Sequence, residues 1–290
     1  MAMIILCADD YALTEGVSRA IGELAAARRL SATSVIVTSS HWPASAQRLL
    51  VHRGRLSIGL HLDLTLGPPL GRMPRLAPRG RFVGLKALIP MACLRLLDGQ
   101  ELTAEISRQL DAFEAGLGFP PDHIDGHQHV HALPQVRQAL IDVVAQRYTQ
   151  RPPLIRDPAD DYERIKERGE PLAKALLVHA LARGFGDGVR ARGLLTNIGF
   201  SGFSSFRLSV PYADELEKAF ALTRPPHIVM CHPGHVDADL RARDPVVERR
   251  RMEYDVLMRD PDLPQRIWRP SRPADGAALD WSALKETAAA

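Results

Sequence analysis

The chain has 290 residues, of which 46% are hydrophobic and 24% charged, a composition typical of a folded protein with a sizeable core. Its formal net charge of +3 is spread along the sequence and gives no indication of a nucleic-acid partner. Cys7, Cys93 and Cys231 are too widely spaced for a disulfide framework or a Cys-x-x-Cys zinc site, so we expect a reducing, cytoplasmic location. The N-terminal segment does not resemble a signal peptide, and no apolar stretch approaches the about 18 residues of a transmembrane segment.

Strand-like and helix-like segments alternate along the chain. Short apolar or β-branched runs predict strands at 3–8, 33–38, 56–65 and 123–131, and near Ile155, Leu195 and Val229. Amphipathic spacing predicts helices after Thr14 and at 42–53, 102–117, 134–147, 160–184, 211–222 and 245–260. Repeated strand–helix units imply parallel strands joined by right-handed crossovers. Because no Gly-x-Gly-x-x-Gly follows the first strand, we predict a (β/α) barrel of about seven strands rather than a dinucleotide-binding sheet.

One barrel domain is predicted over 1–260, with a surface tail over 261–290. Residues 67–99 interrupt the alternation with prolines and glycines, which favours a lid-like insertion containing a short helix. The apolar run 85–97 within it is typical of an ordinary packing helix. The alternative is that it covers an apolar part of a ligand.

Polar side chains follow the predicted strands at their carboxyl ends. They are Asp9 and Asp10 after the first strand, His61 and Asp63 at the third, His127, His129 and His131 at the fourth, Arg156 and Asp157 at the fifth, and His232 at the last. In a barrel these ends converge on one mouth, where catalytic barrels carry their chemistry. The spacing of the three fourth-strand histidines would place them on one face of a strand, where unpartnered rings pack poorly.

The adjacent acids Asp9 and Asp10 repel each other and are costly to bury. One of them could cap the next helix while the other lies in solvent, or a bound cation could offset their repulsion. Carboxylate and imidazole ligands suit Zn, Co or Ni, with Mg or Mn also fitting. A site with one carboxylate, two histidines and open positions is typical of catalysis.

Two other groups are expected at the surface. The first is the run of three arginines at 249–251, which sits in a predicted helix. The second comprises histidines without a matched partner, which would lie at the surface or flank helices: His41, His52, His123, His179 and His227.

Four motifs together resemble the YdjC-like carbohydrate deacetylases, which include chitooligosaccharide and hopanoid-associated deacetylases. They are ADDY at 8–11, GLHLDLT at 59–65, DGHQHVH at 125–131 and CHPG at 231–234, and the resemblance runs from 3 to about 233. It implies an irregular (β/α) barrel that holds one divalent metal, with Mg or Zn as the main candidates. It also implies hydrolysis of the acetamide of an N-acetylated amino sugar, whether free, oligomeric or lipid-linked.

The same resemblance would make Asp10, His61 and His127 the metal ligands, Asp9 the general base and His232 the general acid. Arg156 would orient Asp9 or stabilise developing charge. His129, His131 and Asp63 would contact the substrate or support the ligands.

The sequence departs from the family at Tyr11-Ala12, where Phe-Gly is usual. Two alternatives are a metal-dependent phosphoesterase or amidohydrolase on a similar barrel and a sugar-binding relative without catalysis. Assembly as a homodimer is left open.

Overall fold

A computed structural model describes residues 4–169, 171–270, 279 and 281. Seven strands form one sheet: β1 (Ile4–Tyr11), β2 (Ala32–Val35), β3 (Ser57–Leu62), β4 (His123–Gly126), β5 (Leu154–Ile155), β6 (Gly199–Ser201) and β7 (His227–Cys231). Every pairing is parallel, and the order is β5-β4-β3-β2-β1-β7-β6. This confirms the predicted α/β fold of seven parallel strands.

Helices connect the strands on the outside of the curled sheet. They are α1 (Glu15–Ala26), α2 (Trp42–Leu49), α3 (Leu85–Cys93), α4 (Gly99–Leu117), α5 (Val136–Arg147), α6 (Tyr162–Arg168), α7 (Leu172–Leu181), α8 (Phe185–Ala191), α9 (Tyr212–Phe220), α10 (Ala238–Arg243), α11 (Glu248–Arg259) and α12 (Leu263–Arg266). The single helix predicted at 160–184 is instead split, because left-handed Gly169 ends α6 and Pro171 precedes α7. In the part of the chain that is described, none of the helices is both long and apolar enough to cross a bilayer.

The sheet curls into a half-barrel whose edge strands β5 and β6 do not pair with each other within the described residues. The Ile155 N–H instead donates to the Leu195 carbonyl, at 2.8 Å. The strand predicted near Leu195 therefore begins only at Gly199, because the preceding segment bonds to the opposite edge.

The two faces of β1 pack into different cores. Leu6 and Ala8 join the outer core between the sheet and its helices, whereas Ile5 and Cys7 belong to an inner core. This inner core also holds Leu279 and Trp281, both buried, from the segment that we predicted as a surface tail. The Trp281 Nε1 donates to the Asp122 carbonyl at 2.7 Å. Met3, 271–278, 280 and 282–290 lie outside the described residues.

Candidate active site

Asp9 and Asp10 line the same cavity although they are adjacent in a strand. Alternation would send their side chains to opposite faces. Asp10 has φ 70°, and the register of β1 against β2 shifts between Ala8 and Tyr11. This β-bulge breaks the alternation, so both carboxylates reach the mouth of the half-barrel.

Asp10 lies at the centre of a group of possible metal ligands. Its Oδ1 is 3.2 Å from the Nε2 of His61 and 2.9 Å from the Nδ1 of His127. One ligand atom from each of the three residues lies within 4.8 Å of the others, so the three predicted ligands come together. A carboxylate with two imidazoles is a donor set that suits a divalent cation.

The surroundings of His61 favour a positive charge at this place. Its Nδ1 lies 2.6 Å from Oδ1 of Asp125, a fully buried carboxylate that lies beside it on β4. Burial on its own would lower the pKa of His61, but Asp125 and Asp10 outweigh it and raise the pKa to about 10. A cation bound to the opposite ring nitrogen of His61, Nε2, would be stabilised by the same two carboxylates. A carboxylate commonly orients a metal-binding histidine in this way. The residues present therefore fit a divalent metal.

Asp125 was missed by the sequence analysis. Within the motif at 125–131, the prediction relied on the histidines. The register of Asp125 opposite His61 is visible only in the sheet. Asp125 also takes part in two other potential ligand groups, with Cys7 and His123 and with Asp9 and His61. Both groups contain a carboxylate that already binds Arg156, so their anionic charge is offset without a metal.

Arg156, which follows β5, is fully buried and holds Asp9 in a two-pronged contact. Its Nη1 and Nη2 each donate to one Asp9 oxygen at 2.7 Å. Nη2 also contacts Asp125. Paired guanidinium–carboxylate bonds of this kind fix the plane and direction of the carboxylate.

His232 follows β7 and lines the same cavity. Its backbone N–H donates to Oε2 of Glu253 at 2.6 Å, and its ring packs edge-on against Phe206. Burial lowers the pKa of His232 to about 4, although Asp10 and Asp9 act to raise it. The ring is therefore neutral at pH 7.

The arginine run at 249–251 was predicted to be exposed, and for two of its members this is wrong. Arg249 and Arg250 are 1% and 2% exposed, whereas Arg251 lies at the surface. Nη2 of Arg250 donates to Oδ2 of Asp10 at 2.6 Å and also contacts Asp244. Burial would raise the pKa of Asp10, but Arg250 and His127 hold it well below its ordinary value.

The prediction that the three histidines at 127–131 share one face of a strand is wrong. β4 ends at Gly126, and a 3-10 turn (His127–Ala132) follows in which Gln128 and His129 are left-handed. The turn separates the rings. His129 lines the cavity and packs on Phe200 and Phe203, whereas His131 binds the Arg156 carbonyl at 2.9 Å.

Asp63 lies outside the cavity. Its side chain accepts hydrogen bonds from the Thr38 hydroxyl at 2.7 Å and from the backbone N–H groups of Thr65 and Leu66. Asp63 therefore holds the loop after β3 and does not contact the metal-ligand group.

Two histidines predicted at the surface are buried. His123 shares a hydrogen bond of 2.9 Å with the Ser57 hydroxyl, and His227 shares one of 2.8 Å with the Ser201 hydroxyl. Each of these two histidines thus has a hydrogen-bond partner on a neighbouring strand. The spacing of residues in the sequence does not reveal such a partner.

The cavity has a volume of about 410 Å³. Its polar floor carries Asp9, Asp10, His61, His127 and His232. An apolar wall comes from two helices, with Leu85 and Ile89 on α3 and Leu177, Val178 and Leu181 on α7. The cavity thus combines a cluster of carboxylates and imidazoles with an extended apolar side.

The sequence model of a family described as YdjC-like protein matches residues 3–267. The chain belongs to the YdjC-like family. This YdjC-like protein is 35% identical over 134 residues to a chitooligosaccharide deacetylase of Yersinia pestis (strain Pestoides F). The aligned region covers 46% of this chain and 52% of the relative. It is 33% identical over 145 residues to the chitooligosaccharide deacetylase of Proteus mirabilis (strain HI4320), over 50% and 56% of the two chains. It spans about half the length of these curated relatives.

A solved structure shows the same fold over nearly the whole YdjC-like chain. It is that of an Enterococcus faecalis V583 protein provisionally named a cellobiose-phosphate cleavage protein. The TM-score is 0.69 at 18% identity, with 96% of this chain and 97% of the other covered. The family resemblance and the barrel-type fold are thereby confirmed.

Proposed function

We propose that this protein is a metal-dependent hydrolase that removes the acetyl group from the nitrogen of an N-acetylated amino sugar. One observation carries the proposal: the Asp10–His61–His127 group opens into the same cavity as an arginine-held carboxylate and a neutral histidine. The names of the relatives support a carbohydrate deacetylase. Mg or Zn are the main candidates for the metal, and Co, Ni and Mn are to be tested beside them.

Asp10, His61 and His127 would hold the metal, which supplies polarisation of the acetyl carbonyl and a lowered pKa of water. Asp9 accepts the proton of the attacking water, and Arg156 keeps its carboxylate in one orientation. Arg250 engages Oδ2 of Asp10 and so leaves Oδ1 facing the two histidines.

His232 donates a proton to the departing sugar nitrogen. An amine is a poor leaving group unless it is protonated, so this step is required for amide cleavage. Because His232 is neutral at pH 7, it has to gain that proton during turnover. The proton that Asp9 takes from the water would pass to the His232 ring and from there to the nitrogen, so that no net proton is consumed.

The apolar wall supports a substrate with an apolar portion. Leu85 and Ile89 belong to the insertion at 67–99, and they line the cavity while also packing against the main core. We therefore favour a lipid-linked amino sugar over a short soluble one, with the sugar at the polar floor and the apolar portion between α3 and α7.

The test is acetate release from N-acetylated sugars and glycolipids by protein loaded with each candidate metal. Release of phosphate from phosphorylated sugars without acetate would favour the phosphoesterase alternative. Tight sugar binding without any product would favour a non-catalytic role.

A further inference from the structure

The ring of His232, the proposed general acid, makes no hydrogen bond to any of the described residues. Glu253 binds only the backbone N–H of His232, so it holds the backbone and leaves the ring free to turn. In contrast, the Nδ1 of His61 lies 2.6 Å from a carboxylate oxygen of Asp125. An imidazole that transfers protons is usually oriented by a hydrogen bond to its second nitrogen. For His232, a packing contact has to supply the orientation instead.

Phe206 makes such a packing contact. Its ring lies edge-on to the ring of His232, with the ring centres 5.6 Å apart and the planes at 79°. The Nζ of Lys174 lies 4.2 Å from the centre of the Phe206 ring, a cation–π contact that holds the phenyl group in turn. Phe206 and His232 both line the cavity. Within the described part of the chain, no other Phe, Tyr or Trp ring packs on His232.

The backbone of Phe206 is in the left-handed region, with φ 56°. This conformation is unfavourable for a residue that has a β-carbon, and glycine adopts it without strain. Strained backbone persists only where the surrounding structure enforces it, and it is common at functional sites. A bulky aromatic residue at this place therefore calls for an explanation.

Both neighbours of Phe206 are tied to one ion pair. Ser205 donates its backbone N–H and its hydroxyl to Oε1 of Glu215, at 3.3 and 3.1 Å. The Arg207 carbonyl accepts a hydrogen bond of 3.3 Å from Nη1 of Arg249, which is 1% exposed and also binds Glu215. The ion pair thus holds the loop on either side of Phe206 in the conformation that places its ring at the cavity.

We infer that Phe206 is a positioning residue for His232, whose imidazole it holds in the orientation that protonates the departing nitrogen. The inference rests on the proposed deacetylation, in which His232 is the general acid. Phe206 itself takes no part in bond cleavage. This role accounts for an aromatic side chain at a backbone position that glycine would occupy without strain.

A double-mutant cycle tests whether Phe206 acts through His232. Acetate release gives kcat and KM for metal-loaded wild type, Phe206→Ala, His232→Ala and the double variant. Phe206→Ala should lower kcat about 10- to 100-fold and leave KM and metal content nearly unchanged, as expected for a misplaced catalytic group. In the His232→Ala background the same change should cause no further loss, because no ring is left to position.

Leu208→Ala is the matched control. Leu208 lies on the same loop, is 56% exposed and does not line the cavity, so this variant should match the wild type. Losses that multiply in the double variant, or a loss in Phe206→Ala that lies in KM, would overturn the inference and indicate that Phe206 contacts the substrate directly.

Phe206→Gly separates positioning from folding. Glycine and alanine both remove the ring, but only glycine relieves the left-handed backbone. Phe206→Gly should therefore unfold at a higher denaturant concentration than Phe206→Ala, while the two variants have the same low kcat. If kcat follows the stability of the two variants instead, the loss of activity reflects folding and the inference fails.

The orientation of the His232 ring can also be measured without turnover. In NMR spectra of the metal-free protein, three-bond couplings across the Cα–Cβ bond show whether His232 keeps one χ1 rotamer. Wild type and Leu208→Ala should show one rotamer, and Phe206→Ala an average of several. That result would support the inference even if no acetate is released, in which case only the proposed function fails. A single rotamer in Phe206→Ala would overturn the inference, whatever the deacetylase assay shows.

Discussion

Arg156 and Asp9 are joined by two hydrogen bonds of 2.7 Å, and both side chains are buried. Asp10, the next residue, has no contact of this kind with Arg156 and faces His61, His127 and Arg250 instead. Two neighbouring carboxylates thus have separate sets of partners, as the separate roles proposed for them require.

Asparagine replacements should separate these roles. Asp10→Asn removes the charged ligand, so metal content should fall and activity should recover partly with excess metal. Asp9→Asn keeps the ligand set, so the protein should stay loaded yet turn over about 10²- to 10⁴-fold more slowly, without rescue by metal. Elemental analysis beside acetate release measures both. Loss of metal from Asp9→Asn alone would reverse the assignment.

Replacement of His232 tests proton donation. His232→Ala should lose turnover while it keeps metal and substrate binding. The loss should be smaller on an ester analogue, because an alcohol leaving group depends less on protonation. Steady-state rates on matched amide and ester substrates measure this difference. Identical losses on the two would assign His232 to another role.

Arg250 should contribute far more to stability than its neighbour Arg251. Arg250→Met leaves buried Asp10 and partly exposed Asp244 without their cation, which should cost about 3–5 kcal/mol in the free energy of unfolding. Arg251→Met breaks an exposed pair with Asp255 and should cost less than about 1 kcal/mol. Urea unfolding of the metal-free proteins measures both.

Added metal should then stabilise Arg250→Met more than the wild type, because a cation offsets the charge of Asp10. Equally small losses in the Arg250 and Arg251 variants would show that the buried pair does not hold the fold.

Glu253 should make stability depend on pH. Burial raises the pKa of Glu253 from 4.5 to about 7, so between these values the folded chain binds more protons than the unfolded chain. Its stabilising contribution is complete below about pH 4.5 and is lost as the pH rises through 7. Compared with Glu253→Gln, the wild type should lose on the order of 3 kcal/mol across this range.

Denaturant unfolding from pH 4 to 8 measures this slope. Glu248→Gln is the control, because Glu248 lies on the same helix but is about half exposed and pairs with Arg241. Parallel pH profiles for wild type and Glu253→Gln would exclude the effect.

The apolar wall should discriminate between substrates. Ile89→Ser, at the cavity, should reduce kcat/KM on a lipid-linked amino sugar by about 10-fold while affecting a short soluble sugar much less. Leu94→Ser is the control, since Leu94 lies just past α3 and is 69% exposed away from the cavity. Equal losses on both substrates would argue against a binding role for α3.

The sequence predicted those parts of the site that depend on strand position alone. Asp9, Asp10 and His61 lie at the carboxyl ends of their strands and His232 directly follows one, and a parallel barrel brings the ends of its strands to one mouth. The bulge at Asp10 and the left-handed turn at His129 were not predictable, because residue spacing does not report a change of backbone conformation.

The groups that surround the site were also missed. Asp125 is found only through its register with His61, and Arg250 only through its contact with Asp10. A charged run in a helix is usually solvated, and nothing local distinguishes an arginine that meets a distant carboxylate. Contacts between residues that are far apart in the sequence are therefore the part of the site that the sequence could not predict.

Helix α11 follows every predicted site residue in the chain, yet it contacts both Asp10 and His232. Its Arg250 binds Asp10, 240 positions earlier, and its Glu253 fixes the backbone of His232. A nascent chain that still lacks this helix carries every predicted ligand but lacks the arginine that engages Asp10 and the carboxylate that binds the backbone of His232. We therefore expect the nascent chain to be inert until α11 has been synthesised, and proteolysis ahead of residue 248 to abolish activity although the N-terminal motifs stay intact.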